Sequence, residues 1–306
     1  MNSSFFSGKR IPVISFAILT IITVCSVLFV IGFLIYAAAP VLMKEGFNFI
    51  IGTEWNYDTS TYGIALFLVT TVILTAVTLV IAFPLGLLTA IYLAEWAPAS
   101  VSNILRPVIE LLVGIPSVVY GLFAAHILAP ILVLYLKPAA QSLSFIPLFR
   151  DPAPMLGEGL ILTAFILTIM ILPTIVALSQ DAMASVPREL REGSYALGTT
   201  KWETIKMVII PVALPGIVTS FVLGLMRAMG ETMAVVMILG NIYQVPVSLF
   251  DRGYAMTSKI MNDIPFWIAL DEPRSALFAI AFVLFLLEFL CVAIIRKFIK
   301  QSGNRK

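Results

Sequence analysis

The sequence predicts an all-α polytopic membrane protein with six transmembrane helices and cytoplasmic termini. Three observations predict it. Hydrophobic residues make up 60% of the 306 residues and charged residues only 12%, with a mean hydropathy of +1.04. Several apolar runs exceed the ~18 residues a spanning helix needs. The runs are continuously apolar rather than alternating, and lipid cannot satisfy exposed backbone groups, so they predict helices and not barrel strands. The formal net charge of +2 comes with basic residues at the ends of the runs, which excludes the basic stripe of a nucleic-acid binder.

The first span is expected from about Ile11 to Val41, after Lys9 and Arg10. Ala37, Ala38 and Ala39 resemble a cleavage site, but a secretory signal has only about 7 to 15 apolar residues, so an uncleaved span is the better reading. The second, about Tyr62 to Leu93, would be ~45 Å long at 1.5 Å per residue; it should tilt, protrude or bend near Pro84. The others are expected at about Val108–Leu136, Leu160–Leu178, Ile209–Leu239 and Ala276–Ile295. Six spans put both termini on one side. That side gathers Lys9, Arg10 and Arg106, the basic residues between Arg188 and Lys206, and those between Arg296 and Lys306. The other side holds Lys44, Lys137, Arg150, Arg252, Lys259 and Arg274, outnumbered there by acids, and the asymmetry turns the termini inward.

Two outer loops are long. Residues 137 to 158 carry Pro138, Pro147, Pro152 and Pro154, which argue against regular helix, and residues 241 to 275 carry Phe266, Trp267 and mixed charges. They are either membrane-surface loops or a seat for an external binding protein, a reading that charge reversal at Asp271 and Glu272 would test. On the inner side, the chain turns polar from Asp181 to Lys206. Pro187, Glu189 and Glu192 mark a helix start, Gly198 a break, and a second helix follows from about Thr200. Such a pair can lie across a cytoplasmic surface and push on the next span. Gly193 and Gly198-Thr199-Thr200 fall short of a P-loop, because the lysine after the second glycine is missing and no strand precedes it. The chain is therefore expected to hold no ATPase site of its own.

Inside the fifth run stand Arg227 and Glu231. Arg227 lies ~16 Å beyond Gly216 at 1.5 Å per residue, near the middle of a ~30 Å core, where a charge costs roughly 2.5 to 3.5 kcal/mol on insertion scales. On one helix, their spacing of four puts the two on one face. They are then either a self-neutralising pair that holds the bundle or an anion site in which Arg227 offers its guanidinium donors and Glu231 orients it. Glu110 near Arg106 reads as an interfacial pair, and Glu288 in the sixth run has no evident partner. Thr70, Thr71, Thr75 and Thr78 either line a polar path or bond back to helix carbonyls. Cys25, Cys291 and the lone His126 sit in apolar runs without metal-ligand or triad spacing.

Gly198 is followed, after nine residues, by Val208-Ile209-Ile210-Pro211. With Glu192 this resembles the cytoplasmic signature of binding-protein-dependent ABC importer permeases: Glu-Ala-Ala, three residues, Gly, nine residues, Ile-x-Leu-Pro. Gly193 and Ser194 replace the alanines, and Val208 and Ile210 replace Ile and Leu. Together with the runs Gly114-Ile115-Pro116-Ser117-Val118-Val119-Tyr120-Gly121 and Arg227 to Val235, the chain from about residue 62 onward is similar to the C-type permease subunits of phosphate-specific ABC importers. The resemblance implies a type I importer permease fold. It also implies a second permease subunit (an A-type homologue or a second copy), an ATPase pair that binds ATP and Mg, and an external phosphate-binding protein. It makes Arg227 and Glu231 substrate-path residues and Glu192 and Gly198 motor-docking residues. Expected regions are an N-terminal tail, first span and outer loop (1–61), a permease core (62–297) with its coupling segment (181–206), and a tail (298–306). Import of sulfate or molybdate is the alternative. An ion-coupled carrier would need no docking helix, and an intramembrane enzyme would need an acid or metal-ligand cluster that the sequence does not contain.

Overall fold

The computed structural model describes residues 7–150 and 157–303. Pro152, Pro154, Arg305 and Lys306 fall outside the described residues, as do the side chains of Lys9, Arg10, Lys137 and Lys300. The chain runs α1 (Ser7–Glu45), α2 (Asn48–Ile51), a hairpin of β1 (Trp55–Asn56) and β2 (Thr61–Tyr62), then α3 (Ala65–Ile91), which a π-helical turn at Tyr92–Trp96 closes. Next come α4 (Ala99–Leu111), α5 (Ser117–Phe123), a second π turn (Ala124–Leu128), α6 (Ala129–Ser142) and α7 (Leu160–Ala184). The chain goes on with α8 (Arg188–Ala196), α9 (Lys201–Thr204), a third π turn (Ile205–Ile209), α10 (Ile210–Gly230), α11 (Met233–Ile238), α12 (Met256–Trp267) and α13 (Asp271–Gly303). Among the described residues, six helical stretches are long and apolar enough to cross a membrane: Ser15–Glu45, Ala65–Trp96, Ser117–Leu136, Leu160–Ala184, Lys201–Gly230 and Asp271–Lys297.

Two boundaries and one loop expectation differ from the sequence reading. The third span starts at Ser117, not near Val108, because Gly114 and Pro116 interrupt the run. The residues before the break form α4, an amphipathic helix with exposed Ile104, Val108 and Leu111 and no buried residue. The fifth span ends at Gly230, and the apolar residues beyond it make α11, a separate short helix. Proline does not exclude helix in the long loops. Pro138 lies inside α6 and Pro265 in the last turn of α12. Around proline, neighbouring groups and local adjustments can satisfy the freed carbonyls.

α7 is the axis of the bundle, packed between α3 and α10. Small residues permit the close approach: a Cβ on Gly86 would lie 2.7 Å from Ile175, and one on Gly216 2.4 Å from the Ala182 Cβ. Without a hydrophobic drive between helices in lipid, such close contact is what holds spans together. α1 is peripheral. Its C-terminal end packs Ala38 and Val41 against Ala276, Leu277 and Ile280 of α13, whereas its residues 15 to 30 lie exposed.

At the bundle end that carries the hairpin and α12, Lys259 is fully buried. Its Nζ pairs with Asp263 Oδ2 at 2.5 Å, donates to the Tyr243 hydroxyl, and lies 4.8 Å from the ring centres of Trp55 and Tyr243. Rings of Tyr57, Phe67 and Tyr254 complete the enclosure, and Tyr57 donates its hydroxyl to Asp263. Such a cage attracts a cation through the ring quadrupoles. Burial depresses the Lys259 pKa, with the Asp263 bond opposing it, and burial raises Tyr57 and Tyr243 above their ordinary value and Tyr254 to about 12. Glu272, named with Asp271 for charge reversal, is paired with Lys44, and Asp271 is paired with Arg274.

Candidate functional site in the membrane core and at the α8 end

Arg227 stands in the last turn of α10, half-buried, and its Nε is fully buried without a hydrogen-bond partner. Glu231 follows the helix with an extended backbone (φ −66°, ψ 130°), so the expected face of one helix is broken between the two. Arg227 and Glu231 form no ion pair among the described residues. Glu231 is engaged locally instead. Its Oε1 accepts from the Ala234 N–H at 3.3 Å, in the first turn of α11, and its carbonyl accepts from the Thr257 hydroxyl at 2.9 Å. A carboxylate at that position suits the positive end of the short helix. Arg227 thus keeps guanidinium donors uncommitted, in a stretch that must face protein or water.

Glu288 on α13 borders a cleft between α10 and α13 of about 270 Å³, beside Gly230 and with Thr219, Met226 and Arg296 also in its wall. Three of the four threonines of α3 bond back along their helix, Thr71 to the Phe67 carbonyl, Thr75 to Thr71 and Thr78 to Leu74, each at 2.7 to 2.8 Å, while the Thr70 hydroxyl is buried without a partner. Thr71 also accepts from the Met256 N–H at 3.0 Å, which fastens the start of α12 to α3. His126 bonds the Leu122 carbonyl one turn earlier. Arg106 reaches both Glu110 (3.0 Å) and Asp181 (3.1 Å), and so ties α4 to α7 as well as pairing within its own helix.

At the opposite end of the bundle from the cage, α8 and α9 form the pair of short helices that the capping signals mark. Gly198 has φ +80°, the left-handed conformation of a helix stop, and donates its N–H to the Tyr195 carbonyl at 2.9 Å. A Cβ there would meet no atom within 4 Å, so the glycine answers to the backbone and not to packing. Thr200 caps α9 in a reciprocal box with Glu203. The hydroxyls of Ser194, Thr199 and Thr204 lie within 2.7 to 3.0 Å of one another and close the turn. Glu192, Tyr195 and Leu197 face outward, with Leu197 86% exposed.

A contact at this end of the bundle escaped sequence reasoning. Arg191 donates from Nη1 to both oxygens of Glu95, at 2.7 and 2.9 Å, and from Nη2 to the Met183 carbonyl at 2.7 Å. The only signal for it was an acid and a base, each flanking a span on the same side.

The family described as "Binding-protein-dependent transport system inner membrane component" matches residues 82–302. The chain is 38% identical to the probable ABC transporter permease protein YqgH of Bacillus subtilis (strain 168), over 87% of this chain and 79% of that protein. It is 34% identical to the phosphate transport system permease protein PstC of Xylella fastidiosa (strain Temecula1 / ATCC 700964), over 89% and 85%, and 38% identical to PstC of Mesorhizobium japonicum, over 86% and 81%. In fold, it is similar to a chain of a bacterial ABC transporter involved in import of the acidic polysaccharide alginate, with a TM-score of 0.54 at 17% identity, covering 96% of this chain and 98% of that one. With six spans and the fold of ABC importer permeases, this chain is a multi-pass cell-membrane protein and belongs to the binding-protein-dependent transport system inner membrane component family.

Proposed function

We propose that this chain is a membrane permease subunit of an ATP-driven, binding-protein-dependent importer of inorganic phosphate, working by alternating access. The observation that carries the substrate is the likeness, across most of the chain, to relatives named phosphate transport permeases. The chemistry of Arg227 fits it: a guanidinium with a buried, unbonded Nε in the last turn of α10 suits a tetrahedral oxyanion. Glu231 lies close by in sequence and holds α11 in place below it. A second permease subunit completes the path, and an ATPase pair that binds ATP and Mg docks on Glu192 and Gly198. An external phosphate-binding protein delivers the anion to the opposite end, and the termini lie in the cytoplasm.

Uptake of labelled phosphate, with labelled sulfate as comparator, tests this in cells lacking the chain and in the same cells with it restored. Restored phosphate uptake that excess sulfate does not reduce is expected; restored sulfate uptake alone would move the substrate to another oxyanion. Arg227→Met should abolish uptake and leave the assembled complex intact. Loss of the complex instead would make Arg227 a structural charge.

A further inference from the structure

Most of α8 is surface, and Ser194 is its only fully buried residue. Arg191 is the charged side chain that fastens it inward, 80% covered and bonded to a Glu95 carboxylate that is 94% covered. Glu95 belongs to the π turn that closes α3, and Met183 to the last turn of α7. One guanidinium therefore joins three segments: the outward-facing helix, the end of the second span and the end of the fourth. Planar Arg can hold a carboxylate and a carbonyl at once in fixed directions, which a lysine point charge cannot.

The covalent route from α8 leads elsewhere. Through α9 and the third π turn it enters α10, the helix that bears Arg227. α3 and α10 flank α7, so a displacement of α8 reaches α10 through the chain and α3 only through side chains. A short, charge-assisted link is the kind of contact that carries a push without slipping, whereas apolar contacts slide over one another.

We propose that Arg191 is a positioning residue that couples movement of α8 to the second span through Glu95, so that α3 and α10 move together. This rests on the reading of α8 as the ATPase-docking helix. The test uses the whole importer in liposomes, with its ATPase and phosphate-binding partners, and measures ATP hydrolysis and phosphate uptake in parallel. Arg191→Met and Glu95→Gln should keep the ATPase subunits bound through purification and move about tenfold less phosphate per ATP hydrolysed, within the usual range of coupling between sites. Arg191→Lys should fall between these and the native protein. An unchanged ratio in Arg191→Met overturns the proposal. So does parallel loss of hydrolysis and of bound ATPase, which would make Arg191 a docking residue. If Arg191→Met does not fold, the isosteric Glu95→Gln decides by the same ratio. Glu192→Arg combined with Leu197→Ser tests the underlying reading separately: ATPase that stays bound to this variant ends the docking reading, whatever Arg191 does.

Discussion

The two ends of the bundle hold their charges in opposite ways. At the end that carries α12, Lys259 is sealed by five aromatic rings and an aspartate, all from this chain. At the other end, α8 turns Glu192, Tyr195 and Leu197 outward and is fastened by one buried ion pair. The first arrangement nearly completes itself: the ammonium, the carboxylate and the three tyrosine hydroxyls of the cage have partners within the fold, and the Trp55 Nε1 is buried without one. The second leaves polar and apolar groups facing out together, as a surface does when a partner is to cover it. Substitutions at the cage should therefore register as lost stability, and those at α8 as lost transport in a stable chain.

The largest stability effect is expected from Asp263→Ala, which leaves a buried lysine without its counter-ion and should cost about 3 to 5 kcal/mol. Thermal unfolding of the detergent-solubilised chain would show it. The double variant Lys259→Met with Asp263→Leu should be less harmful than Asp263→Ala alone, because replacing a buried pair by apolar groups is often close to neutral. A double variant as unstable as the single one would mean that the cage is held by shape and not by charge.

A pH series sharpens the same contrast. Tyr254 is raised from 10.0 to about 12, so the folded chain keeps that proton when the unfolded chain has lost it. The stability this contributes is fully present below pH 10 and is lost as pH rises from 10 towards 12. Tyr57 and Tyr243 shift in the same direction. The depressed Lys259 acts oppositely, since between its folded value and 10.5 the unfolded chain binds more protons and stability rises with pH. Melting temperature should therefore fall above pH 10, and less steeply in Tyr254→Phe.

At α8 the effects on stability are smaller. Gly198→Ala forces a side chain into the left-handed region and should cost roughly 1 to 2 kcal/mol, while phosphate uptake falls by more than the lost protein explains. Leu197→Ser should shift stability by less than about 0.5 kcal/mol, as for exposed positions generally, yet weaken retention of the ATPase subunits on purification. If Leu197→Ser unfolds the chain or leaves ATPase retention unchanged, the contrast between the two ends fails.

How legible these features were in the sequence follows from how local their causes are. The six spans rest on runs of apolar residues, and α8 and α9 on caps within a few positions of each helix end, so both could be read directly. The end of α10 could not, because Met233 to Leu239 prolongs the apolar run past Gly230 and hides the break at Glu231. The break before Ser117 did leave a trace in Gly114 and Pro116, and the alternation of Arg106 and Glu110 with Ile104, Leu105 and Val108 marks a surface helix. Arg227 stood out as a charge in an apolar run. The cage did not, because it draws on residues from Trp55 to Asp263 that only folding brings together. Lys259 read as an ordinary outer charge, and Glu95 lies just past the expected end of the second span.

The bareness of α1 within the chain bears on how this sequence can change over time. From residue 16 to 30 its side chains lie exposed, so exchanges among Ile, Leu, Val and Phe there should disturb little of the intrachain fit. Selection on that stretch acts on hydrophobic length rather than on shape, which amounts to a constraint on composition. α7, where one added methyl on Gly86 would strike Ile175, is constrained residue by residue. Drift in this protein should therefore concentrate in the first span and be slowest where the second, fourth and fifth spans touch.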